Sequence, residues 1–160
     1  MNDLAIARAI HVLAVVIWIG GVAMVTTVIL PMVLRARTPG EGQTLLEAAE
    51  RRFIWQARVA TLVVAASGFY MVDRLRLWDR FRSIEFWWMH AMVLLWLIFT
   101  ILLFIGEPLA GRIRRGHGSQ LASKGRLSLM QWLHWAVLVL SDAITVLAAV
   151  AGSQGMSLMP

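Results

Sequence analysis

The chain of 160 residues contains no cysteine. That excludes disulfides, covalent c-type haem attachment, cysteine zinc sites and thiolate chemistry, and leaves any metal to His, Met, carboxylate or a cofactor. Charge is also scarce, at 15% against 59% hydrophobic residues, and the mean hydropathy of +0.72 excludes an ordinary soluble domain. No long polar block is present, so no attached soluble enzyme domain is expected and the length allows one membrane domain only. Nine Asp/Glu stand against fifteen Lys/Arg, a net charge of +6. On a soluble chain that excess would raise nucleic-acid binding, but here it belongs to membrane sides, and no nucleic-acid partner is expected.

What the chain does have is long apolar runs. Crossing about 30 Å of hydrocarbon takes roughly 20 mostly apolar residues. Four stretches qualify: Ala9 to Leu34, Phe53 to Val72, Phe86 to Gly106 and Leu127 to Ala151. We therefore expect an all-α integral membrane four-helix bundle forming a single transmembrane domain. The first run is too long for a secretory leader, and Pro31 near its end suits a kink or exit. Thr38-Pro39-Gly40-Glu41 has the form of a hydroxyl cap with Pro at the first helical position, so the second helix should begin there, several turns before it enters lipid. Residues 74 to 85 (RLRLWDRFRSIE) suit a short interfacial helix or wrapped loop, and Gly111 to Gly125 a basic, glycine-punctuated loop. No internal repeat is visible.

Four spans put both termini on one side, called side A. Side B carries Arg35, Arg37, Arg51, Arg52, Arg112, Arg114, Arg115, Lys124 and Arg126, and side A carries Arg8, Arg74, Arg76, Arg80 and Arg82. The positive-inside rule then places side B in the cytoplasm and the termini outside the plasma (inner) membrane, in the periplasm of a two-membrane cell.

Three histidines lie inside apolar runs, where ionisable groups are costly and usually face a bundle interior, a cavity or a ligand. His11 and His90 sit near the starts of helices that both begin on side A, about 3 Å apart in depth. His134 lies roughly 15 Å from that level. Two imidazoles at equal depth on separate helices are what a b-type haem needs, one nitrogen on each face of a flat apolar macrocycle. Gly20, Gly21, Ala65, Ala66, Ser67 and Gly68 supply low-volume surface that such a ligand or plain helix packing would use. Trp18, seven residues from His11, shares its face and could wall the macrocycle. The competing reading is that these are hydrogen-bonded core histidines; His117, in the basic loop, reads as solvated.

On the fourth helix His134, Ser141 and Thr145 form a polar stripe with Asp142 about 80° away. That stripe would serve a second cofactor, a quinol pocket or a proton path, or would knit helices together. Arg58 is a candidate partner for Asp142, though better placed for headgroups or a cofactor carboxylate near side B. Met71, Met89 and Met92 lie near the side-A histidines as soft donors for Cu(I), while most methionines read as apolar filler and most tryptophans as an interfacial belt.

Ala9-Ile10-His11 followed by Trp18-Ile19-Gly20-Gly21, Glu50-Arg51-Arg52 leading to Ser67-Gly68-Phe69, and Trp88-Met89-His90-Ala91 resemble the HemJ-type protoporphyrinogen oxidases and the related CopD-like membrane proteins over roughly the first 105 residues. The resemblance implies haem b near side A, with His11 as one axial ligand and His90 or Met92 as the other. His90 and Met92 lie about 200° apart on a helix, so one at most points at the iron. The family lysine that follows His-Ala is here Met92, which removes a residue that protoporphyrinogen oxidation would need. Together these readings give a cytochrome b-like protein exchanging electrons with quinol or a membrane partner, holding one haem or, with His134 and Met32, two. The alternatives are a CopD-like copper-handling protein using His11, His90 and methionines, and a haem-free assembly or scaffold subunit. Homodimerisation is plausible for so small a bundle.

Overall fold

The computed structural model describes residues 3–36, 38–109, 112 and 124–154. Among them every regular element is helical: α1 (Asp3–Met24), a π-helical turn (Val25–Ile29), α2 (Leu30–Arg35), α3 (Pro39–Arg74), two 3-10 turns (Trp78–Arg82 and Ile84–Phe86), α4 (Trp87–Ile101), a second π-helical turn (Leu102–Gly106) and α5 (Lys124–Gln154). Four stretches are long and apolar enough to cross a membrane: Asp3–Arg35, Arg52–Arg74, Ile84–Leu109 and Ser128–Gly152. The protein is an all-α, multi-pass membrane four-helix bundle. α5 begins at Lys124, so the last two residues of the expected basic loop are helical; His117 lies outside the described residues.

The expected cap at Thr38 forms, its hydroxyl accepting from the Glu41 N–H at 3.3 Å with Pro39 in the first turn. α3 runs for 36 residues, of which those before Arg52 project roughly 20 Å beyond the apolar stretch. Its other end closes with Leu77 N–H on the Val72 carbonyl and Arg76 N–H on that of Asp73, the paired bonds that a left-handed residue permits. Arg76 is that residue, at φ 52°. The chain then continues through the two 3-10 turns, a broken form of the short interfacial helix or wrapped loop expected over 74 to 85.

α1 packs most extensively on α3, and α4 on α5, while α5 also touches α1 and α3 touches α4. The spans thus follow one another around the bundle, with the first and third on a diagonal. Ala14, Trp18 and Val22 of α1, Ala60 and Val64 of α3, Leu95 and Phe99 of α4 and Leu138 of α5 fill the centre. Large apolar side chains such as Leu13, Val16, Ile105 and Val139 point outward, as a bundle solvated by hydrocarbon requires.

Both π-helical turns lie near side B and both precede a proline by the same interval. Pro31 and Pro108 have no N–H to give, and each crowds the helix behind it. The turn widens, so that Leu30 N–H bonds the Val25 carbonyl and Glu107 N–H that of Leu102, each five residues back. The next carbonyls, Thr26 and Leu103, then lose their usual donors, and the donor five residues on is proline. A side chain from another span supplies each: Gln131 Nε2 donates to Thr26 O at 2.7 Å, and Arg58 donates to Leu103 O from Nε at 3.2 Å and Nη2 at 3.0 Å. Pro31 is therefore the site of a helix-widening joint rather than a simple exit.

Candidate functional site

At the side-A end, His11 is turned toward α3. Its Nδ1 lies 3.1 Å from the Val64 carbonyl and 3.0 Å from Ser67 Oγ. The Ser67 hydroxyl donates back along its own helix, to Val63 O at 2.6 Å. With that proton committed, the network assigns the imidazole proton to Nδ1, donated to Val64 O, and the lone pair to Nε2. Gly68 makes the close approach possible, since a Cβ there would lie 3.3 Å from His11 Cε1. The small residues of the second span are thus used, at least at Ser67 and Gly68, to seat the His11 ring.

His90 is held differently. Its Nδ1 is 3.1 Å from the Phe86 carbonyl, one turn back, and its Nε2 is 3.1 Å from the Phe81 carbonyl in the first 3-10 turn. The Phe81 ring meets the imidazole edge-on at 5.7 Å. A neutral imidazole donates from one of these nitrogens and only the cation from both. Either way both ring nitrogens face main-chain oxygen. Met92 is 36% exposed while Met89 is buried. Among the described residues no hydrogen bond or ring contact joins His11 to His90.

Trp18 does share the inward face with His11, but its neighbour is Phe99, across the diagonal at 4.6 Å between centroids and 87° between planes. It is 5% exposed, and its Nε1 is buried without a hydrogen-bond partner. Gly21 serves packing: a Cβ there would overlap the Phe53 ring of α3. Gly20 faces open space.

The remaining candidates separate. His134 is half-buried, with Nδ1 2.9 Å from the Met130 carbonyl, and Ser141, buried, donates to Val137 O. Asp142 faces outward. Arg58 does not pair with Asp142; it meets Glu107 Oε2 at 3.0 Å, binds the freed Leu103 carbonyl and lies over the Phe104 ring at 5.6 Å. The Nε and Nη2 donors of Arg58 are thus committed to the third span. Glu107 and Gln131 were not among the sequence candidates, although Pro31 and Pro108, each breaking a spanning helix, were the signal that a foreign donor would be needed.

Compared with protein-family models, curated proteins and solved structures, the chain finds no match.

Proposed function

We propose that the protein is a haem b-binding integral membrane protein of electron-transfer or redox function, in which His11 near side A would hold the haem. The observation that carries this reading is the state of the His11 ring. Val64 and Ser67 occupy Nδ1, which is the anchoring that orients a metal-ligating histidine and keeps the lone pair on Nε2. Gly68 leaves the ring room against α3. When bound, haem supplies reversible one-electron redox chemistry through its iron.

His11 fits that role. His90, in the arrangement described, does not, because its Nε2 rests on the Phe81 carbonyl. The reading therefore assigns one histidine ligand and leaves His90 to tie the side-A turn to α4. His134 has its Nδ1 on one main-chain carbonyl only, without the added hydroxyl contact that His11 has, and the reading gives it no second haem. The likeness of the His11 and His90 segments to the HemJ-type and CopD-like proteins supports a haem site, while Met92 in place of the lysine removes protoporphyrinogen oxidation from the proposal. Quinol or a membrane redox partner is the natural electron source for a protein so enclosed in lipid, and the arginine distribution favours the plasma membrane with both termini outside. The copper reading draws no support from Met89, which is buried among core side chains.

A haem-free scaffold is the second reading, favoured by His90, whose ring nitrogens both serve the main chain. The reduced-minus-oxidised spectrum of the purified protein, with pyridine-haem quantitation, separates the two. The expected result is a b-type spectrum lost in His11→Ala and kept in His90→Ala and His134→Ala. Absence of haem after haem-replete expression would overturn the cytochrome reading, and loss in His90→Ala alone would overturn the ligand assignment.

A further inference from the structure

The outer face of α5 carries a seven-residue repeat. Trp132, Trp135, Val139, Asp142, Val146 and Ala149 follow at alternating steps of three and four, and all six are exposed, Trp132 at 73% and Val139 and Val146 at 61% each. That average spacing of 3.5 keeps a stripe against a partner helix along a left-handed pair. Asp142 lies within the 25-residue span Ser128–Gly152, about 3 Å from its middle. It makes no hydrogen bond or ion pair among the described residues, and Arg58, the cation that might have answered it, is held by Glu107. A carboxyl facing hydrocarbon at that depth is costly and marks a protein contact.

We propose that this stripe is the interface between two parallel copies of the chain, with their Asp142 carboxyls facing each other at the seam. Copies inserted the same way around a two-fold axis place each seam residue opposite itself at equal depth. A carboxyl then meets a carboxyl, and a pair that holds at least one proton satisfies both partners without a counter-cation. A second copy fits the stripe, since the stripe carries no basic residue and from Trp132 to Ala149 is apolar at every position but the carboxyl. A single polar residue in an apolar seam also sets the register, because any slip strands it against Val139 or Val146. This inference does not depend on haem.

The chain has no cysteine of its own, which makes single-cysteine cross-linking in native membranes a clean test. Val139→Cys and Val146→Cys should form disulfide-linked dimers several-fold more readily than Leu140→Cys and Leu147→Cys, which are comparably exposed but lie roughly 100° or more round the helix. In the Val146→Cys background, Asp142→Asn should retain the dimer, and Asp142→Ala should weaken it by roughly three- to thirty-fold, the range of interhelical polar contacts in membranes. Equal cross-linking on both faces, none on either, or an adduct with a different protein at Val139→Cys would each overturn the proposal. Undiminished dimer in Asp142→Ala would overturn the role of the carboxyl.

Discussion

The first and third spans solve one problem with different chemistry. Each runs from side A to side B, widens in a π-helical turn that ends two residues short of a proline, and so frees one main-chain carbonyl inside the bundle. In the first span the fourth answers with a neutral amide, Gln131, on a residue that is itself fully buried, Thr26. In the third span the second answers with a guanidinium, Arg58, which then brings in Glu107 to balance its charge. The arrangement repeats around the bundle, span four serving span one and span two serving span three. The amide joint is small but incomplete, since Gln131 Oε1 is buried with no donor. The ionic joint leaves no buried polar atom of its own without a partner but depends on two charges, with side chains 28% and 32% exposed, staying together.

That difference sets the order of the expected effects. Arg58→Met removes two donors to Leu103 O and leaves Glu107 unpaired near the edge of the apolar zone, so it should destabilise the bundle by about 3 kcal/mol in reversible denaturation in lipid–detergent mixtures. The paired change Arg58→Met with Glu107→Met should be milder than Arg58→Met alone, because what hurts most is the uncompensated carboxylate. If the double variant is worse, the charge pair itself stabilises and the comparison between the joints changes sign. Gln131→Leu should cost about 1 kcal/mol: it orphans the Thr26 carbonyl but also removes the unsatisfied Oε1. A loss as large as that for Arg58→Met would mean that carbonyl capture, not charge, dominates both joints.

How much of this was legible beforehand follows from the range over which each feature is set. The spans lay open because hydrocarbon thickness imposes one run length on each, and the structural stretches Arg52–Arg74 and Ser128–Gly152 lie close to the expected 53–72 and 127–151. The Thr38 cap was legible because everything it needs is within three residues. The partner of Arg58 was not, since Glu107 is 49 residues away and enters only when the third span widens at Leu102–Gly106. The expectation of equal depth for His11 and His90 came from the span starts alone, and the direction of each ring was not readable. His11 turns to Val64 and Ser67, which are on another helix, and His90 turns to Phe81, whose carbonyl is available only because that segment forms a 3-10 turn on the membrane surface. Inward-facing Trp18 was placed correctly by its spacing from His11, yet its contact with Phe99 depends on the diagonal arrangement of spans, which no local pattern encodes.

The finest distinction between the joints comes from restoring the missing N–H. Pro31→Ala gives the first span a donor at the position from which it can reach the Thr26 carbonyl, so Gln131 is no longer its sole partner. In that background Gln131→Leu should lose most of its effect, a coupling of about 0.5–1 kcal/mol in a double-mutant cycle. Pro108→Ala does the same for Leu103 O, but it supplies nothing to Glu107. The cost of Arg58→Met should therefore fall by a similar small amount and remain mostly in place. Equal rescue of both would show that the two prolines, rather than the charges, define the joints. Rescue of neither would show that the helices stay widened without proline, held open by Gln131 and Arg58 themselves.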